Sequence, residues 1–158
     1  MQNIRIIGVV GAGQMGRGIA QVAIQSGFEV KMYDAFKNSL DSGADFIKAQ
    51  LSKGVEKNKW TAADADVALK RLTTVGDVVL LKDCDIVIEA ATENRALKFD
   101  IFKRLDEVVK AGAILASNTS SISITEIAAV TKRPQLVAGM HFMNPVPVMK
   151  LVEGIRGL

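Results

Sequence analysis

Gly11-Ala-Gly-Gln-Met-Gly16 decides the fold, because these six residues fit the pattern G-x-G-x-x-G between two segments of different hydrophobic periodicity. Residues 5–10 before them are almost continuously apolar, which predicts a strand covered on both faces. Residues 15–26 after them place apolar side chains at helical spacing, and Gly27 is well placed to end that helix. A second strand is predicted over 29–33. The sequence thus predicts a strand, a glycine turn, a helix and a parallel strand.

Each glycine of this turn has its own predicted role. Gly11 permits the tight turn, Gly13 lets the backbone approach a pyrophosphate, and Gly16 lets the helix pack closely on the strand. Gln14 and Met15 open the helix, whose free amide groups and partial positive charge favour phosphates. We therefore predict that these five residues, Gly11, Gly13, Gln14, Met15 and Gly16, bind a dinucleotide.

Asp34 closes the second predicted strand, where its carboxylate would accept hydrogen bonds from the ribose hydroxyls of adenosine. A 2′-phosphate would place negative charge beside this carboxylate, and no arginine lies near it in sequence. We therefore expect NAD in preference to NADP. The alternative is a glycine turn and a strand-end aspartate that bind no ligand.

The rest of the chain continues the alternation of strands and helices. Further strands are predicted over 72–75, 85–89, 113–117, 136–141 and 150–153. Helices are predicted over 37–57, from the cap Thr61 to residue 71, over 96–110, and from a cap at Ser123 or Thr125 to residue 130. The pattern of residues 77–82 is ambiguous. Such alternation predicts an α/β fold with a doubly wound, mostly parallel sheet and helices on both faces.

Composition limits the possible classes of protein. The 158 residues are 49% hydrophobic and 23% charged, as in a globular domain, so we expect one dinucleotide-binding domain over 1–158. A net charge of +3 is no nucleic-acid footprint. The single cysteine, Cys84, excludes an internal disulfide and a multi-cysteine zinc site, and it favours a reducing compartment. No apolar run reaches the length of a membrane span, and no histidine pair is present to hold a metal.

His141, the single histidine, lies at the carboxyl end of a predicted strand. Residues 91–94 and 117–121 also follow strands, so they should converge with His141 and the glycine turn at one sheet edge. An imidazole titrates near neutrality and can take a proton from an alcohol, and Glu153 could hold it in one tautomer. The alternatives are a histidine bonded to backbone, and a loop at 117–121 that only caps a helix.

Four blocks together resemble the 3-hydroxyacyl-CoA dehydrogenase family, most closely its bacterial 3-hydroxybutyryl-CoA branch. They are Gly11-Ala-Gly-Gln-Met-Gly16, Glu89-Ala-Ala-Thr-Glu-Asn94, Ser117-Asn-Thr-Ser-Ser-Ile-Ser-Ile124 and Gly139-Met-His-Phe-Met-Asn-Pro-Val-Pro-Val-Met-Lys-Leu-Val-Glu153. The resemblance covers essentially the whole chain. It implies a Rossmann fold and a cytoplasmic enzyme that reversibly oxidises the 3-hydroxyl of an acyl-CoA with NAD, in fatty-acid or butyrate metabolism.

The resemblance also implies roles for individual residues. His141 would be the catalytic base, Glu153 would orient it and stabilise its charge, and Ser120 would contact substrate and cofactor. Further cofactor contacts are implied for Asp34, Glu93, Lys98 and Asn144, and contacts to coenzyme A for Lys53 and Lys57.

Members of the family continue into a helical second domain that closes the cleft and makes most of the dimer contact. We therefore expect this chain to be the cofactor half, which binds NAD, turns over poorly, and exposes an apolar surface through which it can self-associate. Two alternatives stay open. One is a nucleotide-binding module without chemistry, and the other is a Rossmann dehydrogenase of a small hydroxy acid, which would not need Lys53 and Lys57.

Overall fold

Seven strands form a single sheet in the computed structural model, which describes residues 3–158. The strands are β1 (Ile6–Val10), β2 (Glu29–Tyr33), β3 (Leu72–Val75), β4 (Ile86–Glu89), β5 (Ile114–Ser117), β6 (Val137–Phe142) and β7 (Val152–Arg156). The helices are α1 (Gln14–Gln25), α2 (Lys37–Glu56), α3 (Ala62–Lys70), α4 (Arg95–Val108) and α5 (Ile124–Ala129). These elements confirm the predicted α/β fold.

The strand order is β3-β2-β1-β4-β5-β6-β7, and only the β6–β7 pair is antiparallel among the described strands. The chain moves outward from β1 to β3 on one side and then returns to β4 on the other side of β1. This reversal creates a crevice at the carboxyl ends of β1 and β4, which is where open α/β sheets bind ligands.

Two hydrophobic cores cover the two faces of the sheet. On one face, α1, α2 and α3 pack with Val9 and Met32, and on the other, α4 and α5 pack with Val10 and Val87. Neighbouring residues Val9 and Val10 point to opposite cores, and both are almost fully buried. This explains why the β1 segment is apolar at nearly every position.

Side-chain caps begin three of the helices. Thr61 and Asp64 form a reciprocal capping box at α3, and Asn94 accepts a hydrogen bond at the start of α4. Of the two candidates for α5, Ser123 is the cap, whereas the Thr125 hydroxyl accepts from the backbone N–H of residue 158.

The structure corrects the end of the chain and settles the ambiguous segment. The last strand begins at Val152 rather than at 150, because its extent depends on pairing with β6 and not on local pattern. Within 77–82, residues 78–81 form a 3₁₀ turn, capped by Asp77 and anchored by the buried Leu81. Within residues 3–158, no helix has the length and apolar character to cross a membrane.

The end of the chain carries an exposed apolar surface. Its members are large side chains on and just before β7: Val148, Met149, Leu151, Val152 and Ile155. Self-association through this surface stays a prediction.

Candidate active site

The glycine turn between β1 and α1 is constrained by the protein itself at two of its three positions. Gly11 has φ +102°, and a Cβ added there would lie 2.8 Å from the Ala90 carbonyl oxygen. A Cβ added at Gly16 would overlap the Gly11 carbonyl oxygen. At Gly13, by contrast, a Cβ meets no protein atom within 4 Å. The fold therefore requires Gly11 and Gly16, whereas the open space at Gly13 fits the close approach of a ligand.

The start of α1 leaves its backbone amides without a side-chain acceptor. Gly13 is the N-cap, it makes no side-chain cap hydrogen bond, and the first turn contains no acidic residue. Gln14 is exposed and Met15 is half-buried at the same helix end. This free, partially positive helix end fits a phosphate group.

Asp34 fixes the glycine turn in place. Its Oδ2 accepts from the backbone N–H of Ala12 at 2.9 Å, and its Oδ1 accepts from the N–H of Phe36 at 2.9 Å. Each carboxylate oxygen keeps a second lone pair for a further donor. Asp34 therefore holds the turn against the end of β2 and can still accept from a ribose hydroxyl.

Two cavities open at the carboxyl ends of the strands, and both are lined by Ala90 and Ala91. The first encloses about 500 Å³ and includes the glycine turn and Asp34 beside the apolar side chains Val10, Val78, Leu97 and Ile101. The second, called here the His141 cavity, encloses about 350 Å³ and is lined by Met15, Glu93, Lys98, Asn118, Ser120, His141, Phe142, Met143 and Asn144. A shared wall makes the two cavities neighbouring halves of one cleft.

His141 faces a carboxylate across the last strand pair. The register of β6 and β7 places it directly opposite Glu153, and its Nδ1 lies 3.5 Å from Glu153 Oε2. The imidazole is about one-quarter exposed and the carboxylate about half exposed. The predicted approach of Glu153 to His141 is confirmed, and the remaining ring nitrogen, Nε2, is free of this contact.

A buried ion pair supports the wall of the His141 cavity. Lys98 Nζ donates to Glu89 Oε2 at 2.6 Å, and the two side chains are 2% and 0% exposed. Glu89 also accepts from the Ser117 hydroxyl at 2.6 Å and from the Ala91 N–H at 2.7 Å. Partners on every side satisfy this buried carboxylate, as a charge in the interior requires.

Glu93 connects this ion pair to the loop that carries Ser120. Its Oε1 lies 3.7 Å from Lys98 Nζ and accepts from the Thr119 hydroxyl at 2.7 Å, while its Oε2 accepts from the Ser120 N–H at 3.4 Å. Asn118 holds the other side of the loop, because its Oδ1 accepts from the Phe142 N–H at 2.8 Å. The loop is thus tied to the segment that precedes α4 and to β6.

Sequence reasoning placed residues 117–121 at this sheet edge but gave no individual role to four supporting residues: Glu89, Ser117, Asn118 and Thr119. Glu89 carried a usable signal, since a carboxylate that ends an apolar strand needs a partner and Lys98 follows on the next helix. The polar residues of 117–119 gave no comparable signal, because a capping loop has the same composition.

Lys53 and Lys57 lie outside the His141 cavity. They line a separate cavity of about 320 Å³ near the end of α2, together with Lys59, Trp60 and Pro147. The turn at 144–148 connects the two places, since Asn144 lines the His141 cavity and Pro147 lines the lysine cavity. Within residues 3–158, no group of three His, Cys, Asp or Glu side chains is placed to hold a metal ion.

The chain is similar to known proteins over almost its whole length. The family model described as "3-hydroxyacyl-CoA dehydrogenase, NAD binding domain" matches residues 6–158. A probable 3-hydroxybutyryl-CoA dehydrogenase of Bacillus subtilis is 53% identical over 98% of this chain. A 3-hydroxybutyryl-CoA dehydrogenase of Bradyrhizobium diazoefficiens is 48% identical over 98% of this chain. The chain spans about half of these curated relatives, 54% and 53% of their lengths.

A solved structure gives the same result. The crystal structure of (S)-3-hydroxybutyryl-CoA dehydrogenase from Ralstonia eutropha superimposes with a TM-score of 0.96 at 50% identity. The match covers 99% of this chain and 55% of that chain.

Proposed function

This chain belongs to the 3-hydroxyacyl-CoA dehydrogenase family, as its NAD-binding domain, and from this premise we propose that it carries the cofactor-binding and proton-transfer half of the reversible oxidation of a 3-hydroxyacyl-CoA. The observation that carries the proposal is the position of His141, which faces Glu153 and lines a cavity that shares Ala90 and Ala91 with the glycine-turn cavity. A proton acceptor and a dinucleotide cradle therefore occupy one cleft.

The cofactor would extend across both cavities. The glycine turn and the free end of α1 suit its phosphates, and Asp34 suits the adenosine ribose. Glu93, Lys98 and Asn144 line the other half, where they would contact the nicotinamide end. When bound, NAD supplies the acceptor for the hydride that leaves C3 of the substrate.

His141 would take the proton of the substrate's 3-hydroxyl at Nε2. Glu153 faces Nδ1 and favours the tautomer with a proton there, which leaves the lone pair on Nε2. The same carboxylate then stabilises the imidazolium that forms. The present separation of 3.5 Å is of the kind that tightens in a complex. Ser120 lines the same cavity, and its hydroxyl would position the reacting oxygen.

The substrate in this proposal is an acyl-CoA. Three cationic side chains, Lys53, Lys57 and Lys59, line the cavity at the end of α2 and suit the phosphates of coenzyme A. The turn from Asn144 to Pro147 would carry the acyl arm from that cavity to His141. A small hydroxy acid would make no use of these lysines.

The remaining features of the proposal concern the longer protein. We propose that residues 1–158 are one dinucleotide-binding domain in a cytoplasmic enzyme, and that full turnover and the homodimer need a further, helical domain. The chain alone would then bind NAD and turn over poorly.

The test compares this chain with a fusion protein, called here the joined chain. In the joined chain, this sequence is followed by the part of the Bacillus subtilis relative that lies beyond the matched region. Both should bind NADH in a fluorescence titration, and the joined chain should reduce acetoacetyl-CoA at a much higher rate. Failure to bind NADH would overturn the proposal. Binding without turnover in either chain would favour a nucleotide-binding module instead.

Two further arms test the substrate class and the role of the second domain. Replacing Lys53 and Lys57 together by methionine should weaken coenzyme A binding and leave NADH binding unchanged. Unchanged coenzyme A affinity, with reduction of a small keto acid, would favour the alternative dehydrogenase. Equal turnover by the two chains would refute the need for a second domain.

A further inference from the structure

The charges of three side chains at the wall of the His141 cavity do not sum to zero. Lys98 Nζ lies 2.6 Å from Glu89 Oε2 and 3.7 Å from Glu93 Oε1, so two carboxylates share one ammonium group. Lys98 and Glu89 are 2% and 0% exposed, whereas Glu93 is 43% exposed. With all three groups ionised, the cluster carries one net negative charge.

No other cation compensates this charge among the residues, within the described 3–158, that line the cavity. The other partners of the two carboxylates are neutral hydroxyl and N–H groups of Ser117, Thr119, Ala91 and Ser120. His141 already faces a carboxylate of its own, that of Glu153. The excess charge therefore acts on whatever enters the cavity.

We propose that the cluster of Glu89, Lys98 and Glu93 sets the preference of this site between the two redox states of its cofactor. The proposal rests on the proposed function, which places the nicotinamide in the His141 cavity. The nicotinamide ring is cationic in NAD⁺ and neutral in NADH, so the excess negative charge lowers the free energy of bound NAD⁺ selectively. Lys98 and Glu89 are buried and weakly screened by solvent, whereas Glu93 is 43% exposed, so we expect an effect of moderate size.

A purely structural cluster would behave differently. Loss of a structural support weakens the binding of both cofactor forms together, because they share the adenosine and pyrophosphate contacts. A change in the net charge of the cluster alters the ratio of the NAD⁺ and NADH dissociation constants. The ratio rises when a negative charge is removed and falls when one is added. The ratio is therefore the informative quantity, and the chain itself suffices to measure it without turnover.

The experiment measures the dissociation constants of NAD⁺ by calorimetry and of NADH by fluorescence at pH 7.5. Glu93→Gln removes the excess charge and should raise the ratio of the NAD⁺ constant to the NADH constant roughly fivefold. Glu89→Gln should also raise this ratio, although Glu89 is fully buried and does not line the cavity.

Two controls separate charge from contact. The double variant Glu89→Gln/Lys98→Met keeps the net charge, so its ratio should equal that of the unmodified chain even if both affinities fall. Asp66→Asn makes the same unit change on the exposed side of α3, which packs beside the edge strand β3, and should leave the ratio unchanged.

An unmoved ratio in Glu93→Gln would overturn the proposal, and so would a double variant that shifts as far as Glu89→Gln. If circular dichroism shows that Glu89→Gln does not fold, the half-exposed Glu93→Gln and the Asp66→Asn control still decide. Absence of any cofactor binding by the unmodified chain would refute the proposed function, whereas binding with an unmoved ratio refutes this inference alone.

Discussion

The two halves of the cleft are built in different ways. The glycine-turn half consists of backbone held by β1 and β2, with Val10 and Gly11 buried and Asp34 bonded to two backbone amides. In the His141 half, the reacting pair His141 and Glu153 stands on β6 and β7, and all five residues of β7 are exposed. Binding of the adenosine and pyrophosphate groups therefore depends on a central, local unit, whereas the reacting pair depends on an edge strand.

This difference separates the consequences of substitution. Changes in the first half should alter folding and cofactor affinity together, because the same backbone does both. Changes in the His141–Glu153 pair should alter turnover and leave the fold and cofactor affinity nearly intact. The predictions below test that separation.

The largest effect is expected for His141→Gln in the chain joined to the relative's remaining residues. Loss of the proton acceptor should lower kcat for acetoacetyl-CoA reduction about 10³-fold, with the NADH dissociation constant unchanged within about twofold. Glu153→Gln is the matched control, with an expected loss of roughly 10- to 100-fold, because the imidazole stays. Turnover that survives His141→Gln would show that another group is the base.

Gly16→Ala and Gly13→Ala form a pair in the first half. A Cβ at Gly16 overlaps the Gly11 carbonyl oxygen, so the free energy of unfolding should fall by about 3 kcal/mol. A Cβ at Gly13 meets open space, so stability should change by less than about 0.5 kcal/mol while NADH affinity falls roughly tenfold. Urea unfolding measures the stability of each variant, and NADH titration measures its affinity. Equal losses of stability in the two variants would contradict the different roles given to Gly16 and Gly13.

Asp85 lies at the opposite end of the sheet and should affect stability alone. Hydrogen bonds from Lys110 and from the Ile6 and Arg5 amides lower the pKa of Asp85 to about 2. A lowered pKa contributes stability that is fully present above about pH 4 and is lost as pH falls toward 2. Asp85→Asn should therefore cost about 2 kcal/mol at pH 7 and much less near pH 2, by urea unfolding.

NADH binding by Asp85→Asn at pH 7 should equal that of the unmodified chain. A change in affinity would show that the two ends of the sheet are coupled. A stability difference that does not shrink in acid would show that the carboxylate charge is not its cause.

Asp34→Ala is expected to have the smallest effect of this set. Loss of the ribose acceptor and of the bond to Ala12 should weaken NADH binding roughly tenfold, and the preference for NADH over NADPH should shrink. Comparative fluorescence titrations measure this. A preference of the unmodified chain for NADPH would contradict the role given to Asp34.

The sequence was sufficient for the central unit because its signals are local. The predicted strands at 29–33 and 72–75 match β2 and β3, since periodicity and the glycine turn determine them within a few residues. The doubly wound sheet follows from the alternation of elements, and the edge that gathers His141, Ser120 and the glycine turn follows from the sheet.

The other features could not be predicted from the sequence, because they depend on contacts between distant segments of the chain. The start of β7 depends on its register with β6, and the Glu89–Lys98 ion pair depends on how α4 lies against β4. The separation of Lys53 and Lys57 from the His141 cavity depends on the path of the turn at 144–148. None of these arrangements leaves a periodic pattern in the sequence.

The single histidine allows a direct measurement of where the nicotinamide lies. With NAD⁺ bound, the Hε1 proton of His141 should show a nuclear Overhauser effect to the nicotinamide H4 proton, and this signal should vanish in His141→Gln. An effect to the adenine protons instead, or none at saturating NAD⁺, would contradict the placement of the nicotinamide beside His141.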